Sequence, residues 1–128
     1  MRVTVIDDDA DIRDLVCEIF EAKGFECVAY TSALPGLKEL IASAPDLIVI
    51  DFELHPHREQ QTGLQVIHAA RTGTTLRDVP IIVLSTDPRA LDTAWSELRQ
   101  RGDIHRLDKP FDLATFERVV NTALVGGR

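Results

Sequence analysis

The sequence predicts an α/β fold: one five-stranded parallel sheet, doubly wound, with helices on both faces. Two observations predict it. Short aliphatic runs alternate five times with segments of helical period, and the runs are nearly continuous rather than strictly alternating. A strand, a helix and a parallel strand join by a right-handed crossover, so five such units build an open sheet covered on both sides. The 128 residues suit a single domain spanning 1–128, with 124–128 as a tail or the start of a linker.

The first run, residues 3–6 (VTVI), precedes an apolar stripe of Ile12, Leu15, Val16, Ile19 and Phe20, with Gly24 as the stop. The second, 27–30 (CVAY), leads to a less decisive helical segment over 34–42. The third, 46–50 (DLIVI), is followed by the polar loop from His55 to Thr62 and a helical segment over 64–70. The fourth, 80–84 (PIIVL), precedes a helix over 90–98 that carries Trp95, read as a packing residue. A weak fifth run over 104–107 is followed by a stripe of Leu113, Phe116, Val119, Val120, Ala123 and Leu124.

Charge and cysteines narrow the class. With 21 acidic against 14 basic residues and a formal charge of −7, no broad footprint for nucleic acid or anionic membrane is expected. Cys17 and Cys27 have no metal or redox spacing and read as reduced packing residues. The N-terminus MRVTVIDDD lacks the apolar core of a signal peptide, and no run approaches a membrane span. The expectation is a cytoplasmic protein.

Function is read from the strand ends. Open parallel sheets bind ligands at the carboxyl ends of their strands, where strand order reverses. The first strand runs into Asp7 and Asp8, the third into Asp51, the fourth into Ser85, and the fifth into Lys109 before Pro110. In the flavodoxin-like order 2-1-3-4-5 the first and third strands are adjacent, so three carboxylates would meet a hydroxyl and an ammonium. Two carboxylates about 4 Å apart repel by roughly 4 kcal/mol at an effective dielectric near 20, so three demand a counter-charge. A divalent cation with oxygen ligands answers that demand, and magnesium suits a site with few carboxylates.

The ordered motifs VIDDDADIRDLV, LIVIDF, IIVLST and LDKPFD resemble the receiver domain of two-component response regulators, across nearly the whole chain. The resemblance implies that Asp51 is the phosphoacceptor for a histidine-kinase phosphohistidine or a small acyl phosphate. It implies that Asp7, Asp8, Asp51 and the backbone carbonyl of Glu53 hold Mg2+. Ser85 and Lys109 would each meet a phosphoryl oxygen, beside Thr86, and the Lys109–Pro110 bond is expected to be cis. Phosphoryl transfer asks mainly for alignment and charge neutralisation, and the aspartyl phosphate is a labile covalent mark. The partners implied are a sensor histidine kinase or phosphotransfer protein and a downstream output protein or domain. No direct nucleic-acid or membrane contact is implied, and a homodimer is allowed.

Other readings compete. Asp7, Asp9, Asp11 and Glu18 match positions 1, 3, 5 and 12 of a calcium loop, but Ile12 stands where that loop needs glycine, and a strand precedes it. Asp7-Asp8-Asp9 also fits a haloacid-dehalogenase-like phosphatase with Asp7 as nucleophile, which leaves Asp51 without a strong role. A degenerate receiver acting only as a binding module is the third. Asp9 or Asp11 reads as a helix cap and Asp14 as a wet face. Asp87-Pro88 reads as a cap signal competing with Ser85, and Lys109-Pro110-Phe111 as a helix start with proline in the first turn.

The chain also departs from the family's pattern. Gly63 lies twelve positions after Asp51, so the loop from His55 to Thr62 carries an insertion of about three or four residues by family comparison. Its histidines read as exposed, and the loop as a kinase-recognition or covering segment. Thr86 replaces a smaller residue beside the phosphoryl path. Glu53 and Asp87 stand where the family tunes dephosphorylation, and their charge should make phosphorylation strongly magnesium-dependent. Arg106, three residues before Lys109, replaces the usual switch aromatic. Arginine does not bury as an aromatic does, so output is expected to use another contact, such as an arginine–carboxylate pair.

Overall fold

The computed structural model describes residues 1–31, 37–53, 63–73 and 75–126. The loop from His55 to Thr62, to which sequence assigns kinase recognition or cover, lies outside the described residues. Strands β1 (Arg2–Ile6), β2 (Glu26–Tyr30), β3 (Leu47–Asp51), β4 (Ile81–Ser85) and β5 (Ile104–Asp108) alternate with helices α1 (Ala10–Ala22), α2 (Leu37–Ala42), α3 (Gly63–Arg71), α4 (Pro88–Leu98) and α5 (Leu113–Gly126). A short 3-10 turn at Arg99–Arg101 extends α4. The sheet is parallel throughout in the order β2-β1-β3-β4-β5, as expected.

Alternation along the strands divides the core in two. Val3, Val5, Leu47, Val49, Ile82, Leu84 and Leu107 face α1 and α5, where Val16, Phe20, Phe116, Val120 and Ala123 complete the layer. Phe20 and Phe116 meet edge to face at 5.5 Å, both without exposure. Ile6, Ile48, Ile50, Ile81, Val83 and Ile104 face the other way, against Leu40 of α2, Val66, Ile67 and Ala70 of α3, and Leu91 and Leu98 of α4. β3 and β4 are buried along their whole length, which explains their unbroken aliphatic runs. β5 reads weakly because it is an edge strand on which only Ile104 and Leu107 are buried.

Local signals set the helix ends. Asp9 caps α1, its carboxylate accepting from the Asp11 and Ile12 amides, and Gly24 follows the helix at φ +88°. Asp87 caps α4 in the same way with Pro88 in the first turn. Lys109-Pro110-Phe111, in contrast, is not the first turn of a helix: α5 begins at Leu113, and Asp112 accepts from the Thr115 amide at 2.7 Å. The strand-to-helix connection therefore runs over Lys109, Pro110, Phe111 and Asp112. α5 itself runs to Gly126, so residues 124–126, expected to open a tail, are helical.

The cysteines require a correction. Cys17 and Cys27 are not reduced packing residues but are joined as a disulfide, with Cα atoms 5.7 Å apart. α1 turns back at Gly24 so that β2 lies directly beneath it, and the two side chains meet within the α1–α5 layer. Among the described residues no helix is long and apolar enough to cross a membrane.

Arg71 anchors the end of the sheet remote from Asp51. It is only 8% exposed, yet its guanidinium donates to the carbonyls of Leu76, Arg101 and Asp103. Burial lowers its pKa, and the charges of Asp103 and Asp78 oppose that fall.

Candidate functional site

Each expected strand end delivers its residue to one place. One carboxylate oxygen from each of Asp7, Asp8 and Asp51 lies within 4.8 Å of the others, with Asp7 fully buried and Asp51 4% exposed. Lys109 enters from the end of β5, its backbone N–H donating to the Ser85 carbonyl at 2.7 Å. Its ammonium lies 3.0 Å from Asp7 Oδ2 and 3.7 Å from Asp51 Oδ1. The Lys109–Pro110 bond is cis, as the resemblance implied.

Electrostatics follow from that geometry. Burial, and next the charge of Asp7, push the Asp51 pKa from 3.8 up to about 7 against the opposing pull of Lys109 and the Glu53 N–H. Burial alone would lower Lys109, but its hydrogen bond to Asp7 and the charge of Asp51 raise it overall. The Lys109 ammonium thus stands against both buried carboxylates, Asp7 and Asp51. An all-oxygen set of that charge fits a hard divalent cation, so the cluster could hold a metal.

The β1 aspartates divide by role. Asp7 Oδ1 accepts from the Asp9 amide at 2.9 Å while Oδ2 meets Lys109, and Asp9 caps α1. With Asp9 turned to the helix, the Asp-x-Asp acid pair of a phosphatase is not formed.

At the end of β4, Ser85 is fully buried and donates to Glu53 Oε2 at 2.6 Å. Thr86 donates to Glu53 Oε1 from its backbone N–H at 2.5 Å and from its hydroxyl at 2.9 Å. The Glu53 N–H in turn donates to Asp51 Oδ1 at 3.0 Å. Sequence reasoning assigned Glu53 a backbone role and general negative charge; it missed these side-chain contacts, which need the β3–β4 register to be seen.

Arg106 is not brought into the carboxylate cluster. It reaches α4, pairing with Asp92 at 2.6 Å and with Asp108 at 3.3 Å, and its guanidinium lies 5.4 Å from the centre of the Trp95 ring. Arg106 thus pairs with a carboxylate; sequence reasoning did not single out Asp92 and read Trp95 only as a packing residue.

Gly63 explains its own identity. A Cβ there would collide with the Asp51 carbonyl oxygen and stand 3.1 Å from Phe52 Cα and Phe52 O. Gly63→Ala should therefore shift the backbone that carries Asp51 and cost about 1–3 kcal/mol in a urea titration; wild-type stability in that variant would contradict the close approach.

The sequence matches the family described as response regulator receiver domain over residues 3–121. The chain belongs to that family. It is a phosphoacceptor signalling domain of the two-component type, not a conventional enzyme. It is 32% identical over 84 residues to the phosphate regulon transcriptional regulatory protein PhoB of Klebsiella pneumoniae, covering 66% of this chain and 35% of that protein. The receiver chain thus spans about a third of the length of this curated relative. Among solved structures it is similar to NtrX from Brucella abortus in complex with ADP, with a TM-score of 0.82 and 28% identity, covering 98% of this chain and 27% of that one. The chemotaxis protein CheY4 of Vibrio cholerae shares the fold, with a TM-score of 0.76 at 22% identity over 96% of this chain and 98% of that one.

Proposed function

We propose that Asp51 accepts a phosphoryl group from a histidine-kinase or phosphotransfer-protein phosphohistidine, and that the resulting aspartyl phosphate switches the contacts of this receiver with an output protein or domain. The observation that carries this reading is the placement of Asp51 and Lys109 against Asp7 at the ends of β1, β3 and β5. An Asp51 carboxylate oxygen attacks phosphorus, the bond from phosphorus to the donor nitrogen breaks, and the histidine leaves with its electron pair and takes up a proton. With an acyl phosphate the bond to the acyl oxygen breaks instead and a carboxylate departs.

Asp7, Asp8, Asp51 and the Glu53 carbonyl would hold Mg2+. A bound magnesium ion supplies positive charge against the acids and the incoming phosphoryl oxygens. Lys109, already held at the Asp51 carboxylate, is placed to pair with one phosphoryl oxygen, and the hydroxyl of Ser85 with another. Thr86 stands beside that path. Arg106 takes the position of the switch aromatic, and its bond to Asp92 ties β5 to α4. The compartment assigned is the cytoplasm, where phosphohistidine donors meet receivers.

Intact-mass analysis after incubation with acetyl phosphate and magnesium tests the reading. The wild type should gain one phosphoryl group and Asp51→Asn none, and a chelator should reduce the wild-type gain at least tenfold. Equal phosphorylation in chelator would remove the metal from the reading, and a phosphorylated Asp51→Asn protein would overturn Asp51 as acceptor.

A further inference from the structure

Of the donors that a phosphoryl group on Asp51 would use, those at the end of β4, Ser85 and Thr86, are already occupied by the Glu53 carboxylate. The single hydroxyl hydrogen of Ser85 can go to Glu53 Oε2 at 2.6 Å or to the Asp87 carbonyl at 3.0 Å. The shorter, charge-assisted bond to the carboxylate is the stronger. Thr86 adds its N–H and its hydroxyl to the other oxygen of the same group. Glu53 therefore takes three donors on two oxygens, an arrangement that an anionic phosphoryl group would also seek. Its own backbone N–H is bound to Asp51 Oδ1 at 3.0 Å, so the competing carboxylate is tied to the residue to be modified. A carboxylate and a phosphoryl group cannot both accept the one Ser85 hydrogen, and their like charges repel at this range.

We propose that the Glu53 side chain is an internal competitor of the phosphoryl group: it closes the Ser85–Thr86 donors in the unphosphorylated protein and is displaced when Asp51 is phosphorylated. This rests on Asp51 as acceptor and goes beyond it, because it gives the side chain of Glu53 a specific contact to lose. Displacement frees the carboxylate from β4 at the moment Ser85 turns to its new acceptor. The segment after β3 and the end of β4 thereby change together, and Glu53 makes the unphosphorylated state one with its own closed hydrogen bonds rather than an open site.

The test compares the wild type, Glu53→Gln and Glu53→Ala. Rates of phosphorylation by acetyl phosphate are read by intact mass, and the Thr86 amide proton is followed by NMR before and after phosphorylation. Without donor, the Thr86 amide should move upfield in Glu53→Ala as it loses a short bond to a carboxylate. On phosphorylation it should move downfield again in Glu53→Ala and stay downfield in the wild type. The Asp51 phosphorylation rate should rise on the order of five- to tenfold in Glu53→Ala, with Glu53→Gln between the two. A Thr86 amide indifferent to Glu53→Ala, or rates equal within twofold, would overturn the competitor while leaving Asp51 as acceptor intact. A wild type and Glu53→Ala that both fail to gain mass would overturn the competitor and the acceptor reading together.

Discussion

Asp51→Asn should make the protein more stable at pH 8 by about 2–4 kcal/mol, and that gain should shrink by roughly 2 kcal/mol at pH 5. The cause is the raised pKa of the native carboxyl, about 7 in the fold against 3.8 ordinarily, set by burial and by Asp7. Because the folded value lies above the unfolded one, the stability contributed by Asp51 is fully present below about 4 and is lost as pH rises through about 7. The whole difference corresponds to about 4 kcal/mol. Asparagine keeps the shape of the neutral acid and carries no charge, so the variant should be free of this component of the pH slope. Urea titrations of both proteins at pH 5, 6, 7 and 8 measure it. A stability gap that does not change with pH would mean that Asp51 is not strained by its charge. The same acceptor position would thus be a stability optimum given up for chemistry.

Lys109→Met should act in the opposite direction, lowering stability by about 3 kcal/mol at pH 8. The methylene stem is replaced by a chain of similar volume, so the loss reports the ammonium rather than a cavity. Removing it leaves Asp7, with no exposure, and Asp51 facing each other without the cation that now lies 3.0 Å and 3.7 Å from them. Asp51 can relieve that repulsion by taking a proton, so the deficit should narrow as pH falls toward 5.5. Lys109 itself has a raised pKa, which keeps it charged throughout this window and its own contribution constant. Combining Lys109→Met with Asp51→Asn should cost less than Lys109→Met alone, because one of the two charges that Lys109 compensates has gone while Asp7 keeps its own. Additive effects in that cycle, read by the same titrations, would contradict a direct ion pair.

The sheet could be read from sequence because β3 and β4 are buried on both faces and are apolar at every position before their terminal Asp51 and Ser85. β5 was faint for the converse reason, since an edge strand carries Arg106 and His105 at little cost. Asp7, Asp51, Ser85 and Lys109 were visible together because each ends a strand, and parallel strands present their ends on one side. Helix starts at Asp9 and Asp87 were equally plain, being local hydrogen bonds between near neighbours.

Contacts between distant residues were not visible in this way. The pairing of Cys17 with Cys27 depends on α1 folding back over β2, and spacing alone favoured two thiols. The Glu53 carboxylate meets Ser85 and Thr86 across 32 and 33 residues, a contact set by the alignment of β3 with β4. Arg106 could be recognised as an unusual residue at its position, but its partners Asp92 and Trp95 lie on a helix whose rotation about its own axis is decided by Leu91 and Leu98 in the core. Hydrophobic period, strand ends and caps are properties of short stretches, so the order of residues already contains the class of fold and the residues of the site. Which carboxylate takes which donor depends on side chains meeting across the sheet, and packing alone decides that.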